Sequence, residues 1–191
     1  MMILRTTLLN LWLVAAGFGI CALSDMRWKV FESKTQHFRV HYPASWNQLE
    51  GLAGTVNTDI LDIINFPNSE RVEGVVIKAS GAEIQVSGPP PNVRTIDDWI
   101  RGDLSSDAAI DEGLISIPKP GLHGCTSLKR VTWRSDVSGA GKAYLFNTGY
   151  YCTTKTSFYR VLLANWQGDP QQSRLQELAL KIALSLRTTE Q

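Results

Sequence analysis

Short apolar runs separated by turn-forming residues dominate the chain from Trp28 onward, and each run predicts an element. Trp28 to Glu32 is a short apolar stretch. His37 to Tyr42 alternates and stops at Pro43, which reads as a strand closed by a turn. Ile60 to Phe66 predicts a second strand ended by Pro67-Asn68, and Gly74 to Ala79 with Glu83 to Val86 predicts a hairpin turning at Ser80-Gly81. Gly88-Pro89-Pro90-Pro91-Asn92 then breaks regular structure. Thr95 has the chemistry of an N-cap, with Asp98 three residues on, and Ile96, Trp99 and Ile100 give the following helix an apolar face. The acid-rich segment Gly102 to Gly113 reads as a loop, and Leu114 to Ile117 as a short strand.

Three long β-runs follow: Cys125 to Arg134, Lys142 to Cys152 and Ser157 to Trp166. Gly168-Asp169-Pro170 predicts a helix start with Asp169 as cap and Pro170 in the first turn. The closing helix carries Leu175, Leu178, Ala179, Ile182 and Leu186 as one stripe. Strands, a short helix, a β-meander and a final helix make the fold class α+β.

The first residues follow a different rule. Arg5 is a positive start, Leu8 to Gly19 is apolar except for Asn10, and Ala22-Leu23-Ser24 is a small-x-small cleavage site before Asp25. Residues 1–24 therefore read as a signal peptide and residues 25–191 as a single domain, periplasmic or secreted. Two alternatives stay open: an uncleaved N-terminal anchor, and lipidation at Cys21, although Ile20 stands where a lipoprotein signal wants a small residue. The apolar run is shorter than the ~20 residues a spanning helix needs, so no stable membrane span is expected after cleavage.

Charge changes the picture by subtraction. The chain has 19 Lys+Arg and 18 Asp+Glu. Arg5 leaves with the signal, so the mature part balances at 18 against 18. A neutral chain has no overall electrostatic footprint for nucleic acid.

Candidate chemistry is sparse. Removing the signal leaves Cys125 and Cys152 in an oxidising compartment. An antiparallel hairpin that sets Cys125 opposite Cys152 also sets Val131 opposite Phe146 and Trp133 opposite Tyr144. It puts these and Tyr150 on the cysteine face. A disulfide is expected here, and closing about 28 residues should stabilise by roughly 3–4 kcal/mol. His37 and His41 share a strand face but stand roughly 13 Å apart along it, too far for one metal ion. His123 is the remaining histidine. Asp97, Asp98, Asp103, Asp107, Asp111 and Glu112 lack the spacing of a calcium loop. There is no nucleophile elbow, phosphate loop or dinucleotide fingerprint. No catalytic residue, metal site or cofactor is therefore expected. Trp28, Trp46, Trp99, Trp133 and Trp166 sit at positions a core favours.

Three fragments carry a family resemblance. Phe38-Arg39-Val40-His41-Tyr42-Pro43-Ala44-Ser45-Trp46 resembles the opening strand of PsbP-like proteins. Tyr159-Arg160-Val161-Leu162-Leu163-Ala164 resembles their last strand, and Ile182-Ala183-Leu184-Ser185-Leu186-Arg187 their closing helix. The resemblance spans about Lys34 to Arg187. It implies an antiparallel sheet flanked by helices, an α/β/α sandwich. The family includes an extrinsic photosystem subunit, a Ran-binding eukaryotic branch and bacterial envelope proteins, most of them binding or assembly factors. No functional residue transfers. What the resemblance and the signal imply together is a non-catalytic module of the bacterial envelope whose partner is another envelope protein. The alternative is an exported hydrolase whose catalytic residues converge only in the fold.

Overall fold

The computed structural model describes residues 26–50, 55–67, 81–104, 109–117, 124–136 and 144–189. The signal segment, Gly74 to Ala79, Asp107, His123 and the hairpin tip beyond Asp136 lie outside the described residues. Among the described residues, a seven-stranded antiparallel sheet forms the centre, in the order β3-β4-β5-β9-β8-β7-β6. Its strands are β3 (Asn47–Gln48), β4 (Leu61–Ile64), β5 (Ala82–Ser87), β6 (Ala109–Leu114), β7 (Ser127–Asp136), β8 (Tyr144–Thr153) and β9 (Phe158–Trp166). A second sheet, β1-β2-β10, joins Trp28–Ser33, Phe38–Pro43 and Arg187–Thr188. Helix α1 (Ile96–Leu104) covers one face of the large sheet, and α2 (Gln172–Ser185) covers the other together with the small sheet. The fold class is thus α+β, a sandwich with the sheet in the middle.

Alternation builds both layers. Along β9, Tyr159, Val161 and Leu163 enter the core under α2, while Phe158 and Leu162 pack under α1. The α2 stripe of Leu175, Leu178, Ala179 and Ile182, with Leu186 just past the helix end, is buried in one cluster with Phe38, Val40, Ile84, Val86 and Leu128. At ~25 cal/mol per Å² of apolar surface, this cluster is the main stabilising mass. Trp99, Ile100, Val131, Trp133 and Tyr151 form a smaller cluster beneath α1. Thr95 caps α1 as its chemistry predicts: Asp98 N–H donates to Thr95 Oγ1 at 3.1 Å, and the Thr95 hydroxyl donates to Asp98 Oδ2 at 2.7 Å.

Several expectations are corrected. Most of the Gly102 to Gly113 segment is not a loop: α1 runs to Leu104, and β6 begins at Ala109. This edge strand is largely exposed, so it carries no apolar alternation to read; its Asp111 and Glu112 instead pair with Arg130 and Lys129 of β7. The strand ends at Leu114 rather than spanning Leu114 to Ile117. Asp169 does not cap α2 directly. Its carboxylate accepts from Gln171 N–H at 2.7 Å, making a turn ahead of a helix that starts at Gln172. Trp28 is not core; it is 36% exposed at the edge of the small sheet.

The β7–β8 register also differs. Leu128, not Cys125, lies opposite Cys152, Val131 faces Gly149 and Trp133 faces Asn147, a slip of three residues. An odd slip exchanges faces. Val131 and Trp133 therefore pack under α1, while Tyr150 and Cys152 pack under α2. Cys125 lies in the irregular approach to β7 and still reaches Cys152, with the sulfurs bonded and the Cα atoms 5.3 Å apart. That approach is tight: a Cβ on Gly124 would stand 2.1 Å from the Leu186 carbonyl oxygen, so only glycine fits.

Candidate functional site

Among the described residues, three concavities are each built from a different chemistry. The first is a cleft of about 490 Å³ between α1, the Pro89–Pro91 loop and the large sheet. At its base the Arg160 guanidinium pairs with Asp103 at 2.5 Å, donates to Gln85 Oε1 at 2.9 Å and stacks 5.1 Å from the Trp99 ring. Tyr151 O–H donates to the other Asp103 oxygen at 2.6 Å. Burial above all, then the Asp103 charge, pushes the Tyr151 phenol far up, so it stays protonated. Each Asp103 oxygen already accepts a bond. The cluster locks the end of α1 to the sheet and leaves no base facing a nucleophile.

The second is a notch of about 610 Å³ lined by Gln36, His37, Thr156, Ser157, Tyr159, Thr188 and Thr189. His37 takes a left-handed φ of 53°. That turn aims its carbonyl at two donors, Tyr159 O–H at 3.1 Å and Thr189 N–H at 2.9 Å.

The third is a basic groove of about 560 Å³ lined by Arg39, His41, Lys181, Leu184, Ser185 and Arg187. Alternation on β2 turns Phe38, Val40 and Tyr42 inward and Arg39 and His41 outward. Arg187 on β10 pairs directly with Arg39. Lys181 and Ser185, four apart on α2, close the other wall. Ser185 Oγ accepts from His41 N–H at 3.0 Å, tying the helix to β2. Arg187 Nη1 donates to the Leu184 and Leu186 carbonyls at 3.1 and 2.7 Å, at the helix end where carbonyls lack partners. Burial, then the Arg39 charge, lowers the Arg187 pKa. Beside the groove, Val30 lies opposite His41 in register and is 56% exposed.

The structure separates the residues singled out from sequence. His37 lines the notch and His41 the groove, so the two serve different surfaces. Asp97 and Asp98 sit on the exposed side of α1, while Asp103 is enclosed. Among the described residues, no three His, Cys, Asp or Glu side chains converge as metal ligands, and no helix is long and apolar enough to cross a membrane. The Asp103–Arg160–Tyr151 cluster joins residues 57 and 48 positions apart, and nothing local announces it. The outward placing of Arg39 and His41 was readable from alternation; their meeting with Lys181 and Arg187 was not.

No family model matches the chain, and no curated protein matches it in sequence. Solved structures do match in shape. The Saccharomyces cerevisiae Ran-binding protein Mog1p has 10% identity and a TM-score of 0.52, over 86% of this chain and 97% of that one. The cyanobacterial PsbP of Synechocystis has 10% identity and a TM-score of 0.48, over 90% and 98%. A Pseudomonas aeruginosa protein of unknown function has 10% identity and a TM-score of 0.44, over 81% and 94%. At this identity the likeness concerns fold alone, and the fold of this chain is the α+β sandwich that Mog1p has.

Proposed function

We propose that the chain is an exported, non-catalytic binding or assembly module of the bacterial envelope, with residues 1–24 removed and residues 25–191 acting as one periplasmic or secreted domain. Its partner is another envelope protein. The observation that carries this reading is the outer face of the small sheet, where exposed Trp28 and Val30 adjoin a groove lined by four basic side chains. Apolar residues beside oriented charge are the makings of a protein-docking face. The leader sequence and the Cys125–Cys152 pair support export. Mog1p, which shares the fold, is a Ran-binding protein. The enclosed Asp103, held by Arg160 and Tyr151, serves as a tie between α1 and the sheet.

Two measurements test this. N-terminal sequencing of the protein from its native host should find Asp25 first; a chain still starting at Met1 would exclude processing. A photoreactive side chain in place of Val30 should capture a discrete envelope protein in living cells. The same group at exposed Lys155 should capture little. Equal capture at both positions, or none, would remove the docking face.

A further inference from the structure

Resting on the binding-module reading, we infer that the basic groove receives the carboxylates of an acidic segment of the partner protein, and that apolar residues of that segment lie on Val30 and Trp28. Arg39, His41, Lys181 and Arg187 converge on one concavity, and no acid lines it among the described residues. Glu32 lies directly opposite Arg39 on the next strand. Arg39 and Arg187 are direct antiparallel neighbours, which sets both side chains on one face of the small sheet. The Leu184 and Leu186 carbonyls hold the Arg187 guanidinium in place before any ligand arrives, which lowers the ordering cost of binding.

The surroundings select the kind of anion. The mature chain has as many acids as bases, so the positive charge is local rather than a broad field. Attraction to an anionic bilayer relies on clusters of roughly 4–8 Lys/Arg presented to a surface. Here three permanent cations line a concavity, and Val30 and Trp28 lie outward on the same face of the small sheet. Alternating acidic and apolar side chains match that layout; lipid headgroups do not.

The test uses the processed full-length protein and a fluorescein-labelled peptide of alternating glutamate and leucine, read by anisotropy at about 0.15 M salt. Binding is expected, with at least roughly tenfold loss in the Arg39→Glu/Lys181→Glu variant. A peptide with glutamine in place of glutamate should bind at least tenfold more weakly. Reversing two exposed cations elsewhere, Arg94→Glu/Lys155→Glu, should leave affinity unchanged. If the charge-reversed pair lowers thermal stability, Arg39→Gln/Lys181→Gln carries the same test. Equal binding by the groove variants, or by the glutamine peptide, overturns the inference. So does groove-dependent co-sedimentation with phosphatidylglycerol vesicles when the peptide fails to bind. Crosslinking from position 30 that persists unchanged in the groove variants would sink the groove alone and leave the binding module standing. Loss of every specific crosslink in the unaltered protein would sink the module.

Discussion

The two faces of the large sheet are held by different physics. Under α2, a continuous apolar cluster draws on β2, β4, β5, β7, β8, β9 and the helix itself. Under α1 the apolar cluster is small, and a polar knot of Asp103, Arg160, Tyr151 and Gln85 completes the attachment. Apolar area is non-directional, so the α2 face sets how stable the fold is. A charged pair at short range is directional, so it sets where α1 sits rather than how much it contributes. The small sheet, with the basic groove, rides on the face with the larger reserve.

This contrast can be broken most forcefully at Leu178. Leu178→Ala should destabilise by ~2–5 kcal/mol in urea unfolding, a large share of a typical ~5–15 kcal/mol total. An unchanged midpoint would mean that α2 is not docked. Replacing Cys125 and Cys152 together with Ala should cost roughly 3–4 kcal/mol through the freed loop, with binding intact. Free labelling of both thiols in protein taken from the periplasm or medium would refute the pairing.

On the other face, Asp103→Asn strands the Arg160 charge and should cost roughly 2–3 kcal/mol, below the ~3–5 of a fully enclosed pair. Removing both charges with Asp103→Leu/Arg160→Met should recover most of that loss. If the double variant is as unstable as the single, the pair is a stabiliser and the contrast fails. The smallest effect concerns Tyr150, whose phenol burial pushes up to about 12, with the Arg130 charge opposing. An unfolded tyrosine titrates near ~10, so the native state holds this proton more tightly. That stability is complete below about pH 10 and is lost as pH rises toward about 12. Tyr150→Phe should cost ~1 kcal/mol at neutral pH through its lost bond to the Gln176 carbonyl. It should also flatten the alkaline loss of stability; an unchanged alkaline slope would show that Tyr150 titrates normally.

What the sequence disclosed follows from which signals are local. The stripe on α2, the Thr95 cap and the three long β-runs depend on neighbours within a few positions, and they were readable. β6 was hidden because an exposed edge strand has no apolar period. The β7–β8 register was misread because it was anchored on the two cysteines, and an irregular approach at Cys125 uncouples disulfide from ladder. The polar knot and the far wall of the groove depend on contacts across 48 to 144 residues, for which no short pattern exists.

The strand β10 has a consequence for the order of events in the chain's life. Arg187 and Thr188 complete the sheet begun by β1 and β2, and Thr189 N–H reaches back to the His37 carbonyl. A polypeptide emerging amino end first, from a ribosome or through a translocation pore, exposes β2 before its second neighbour exists. The basic groove cannot assemble until Arg187 has been made, since it forms part of the wall. Closing such distant segments is slow. The groove wall is therefore completed only once Arg187 is in place, and a chain cut before Arg187 would present β2 without its closing strand.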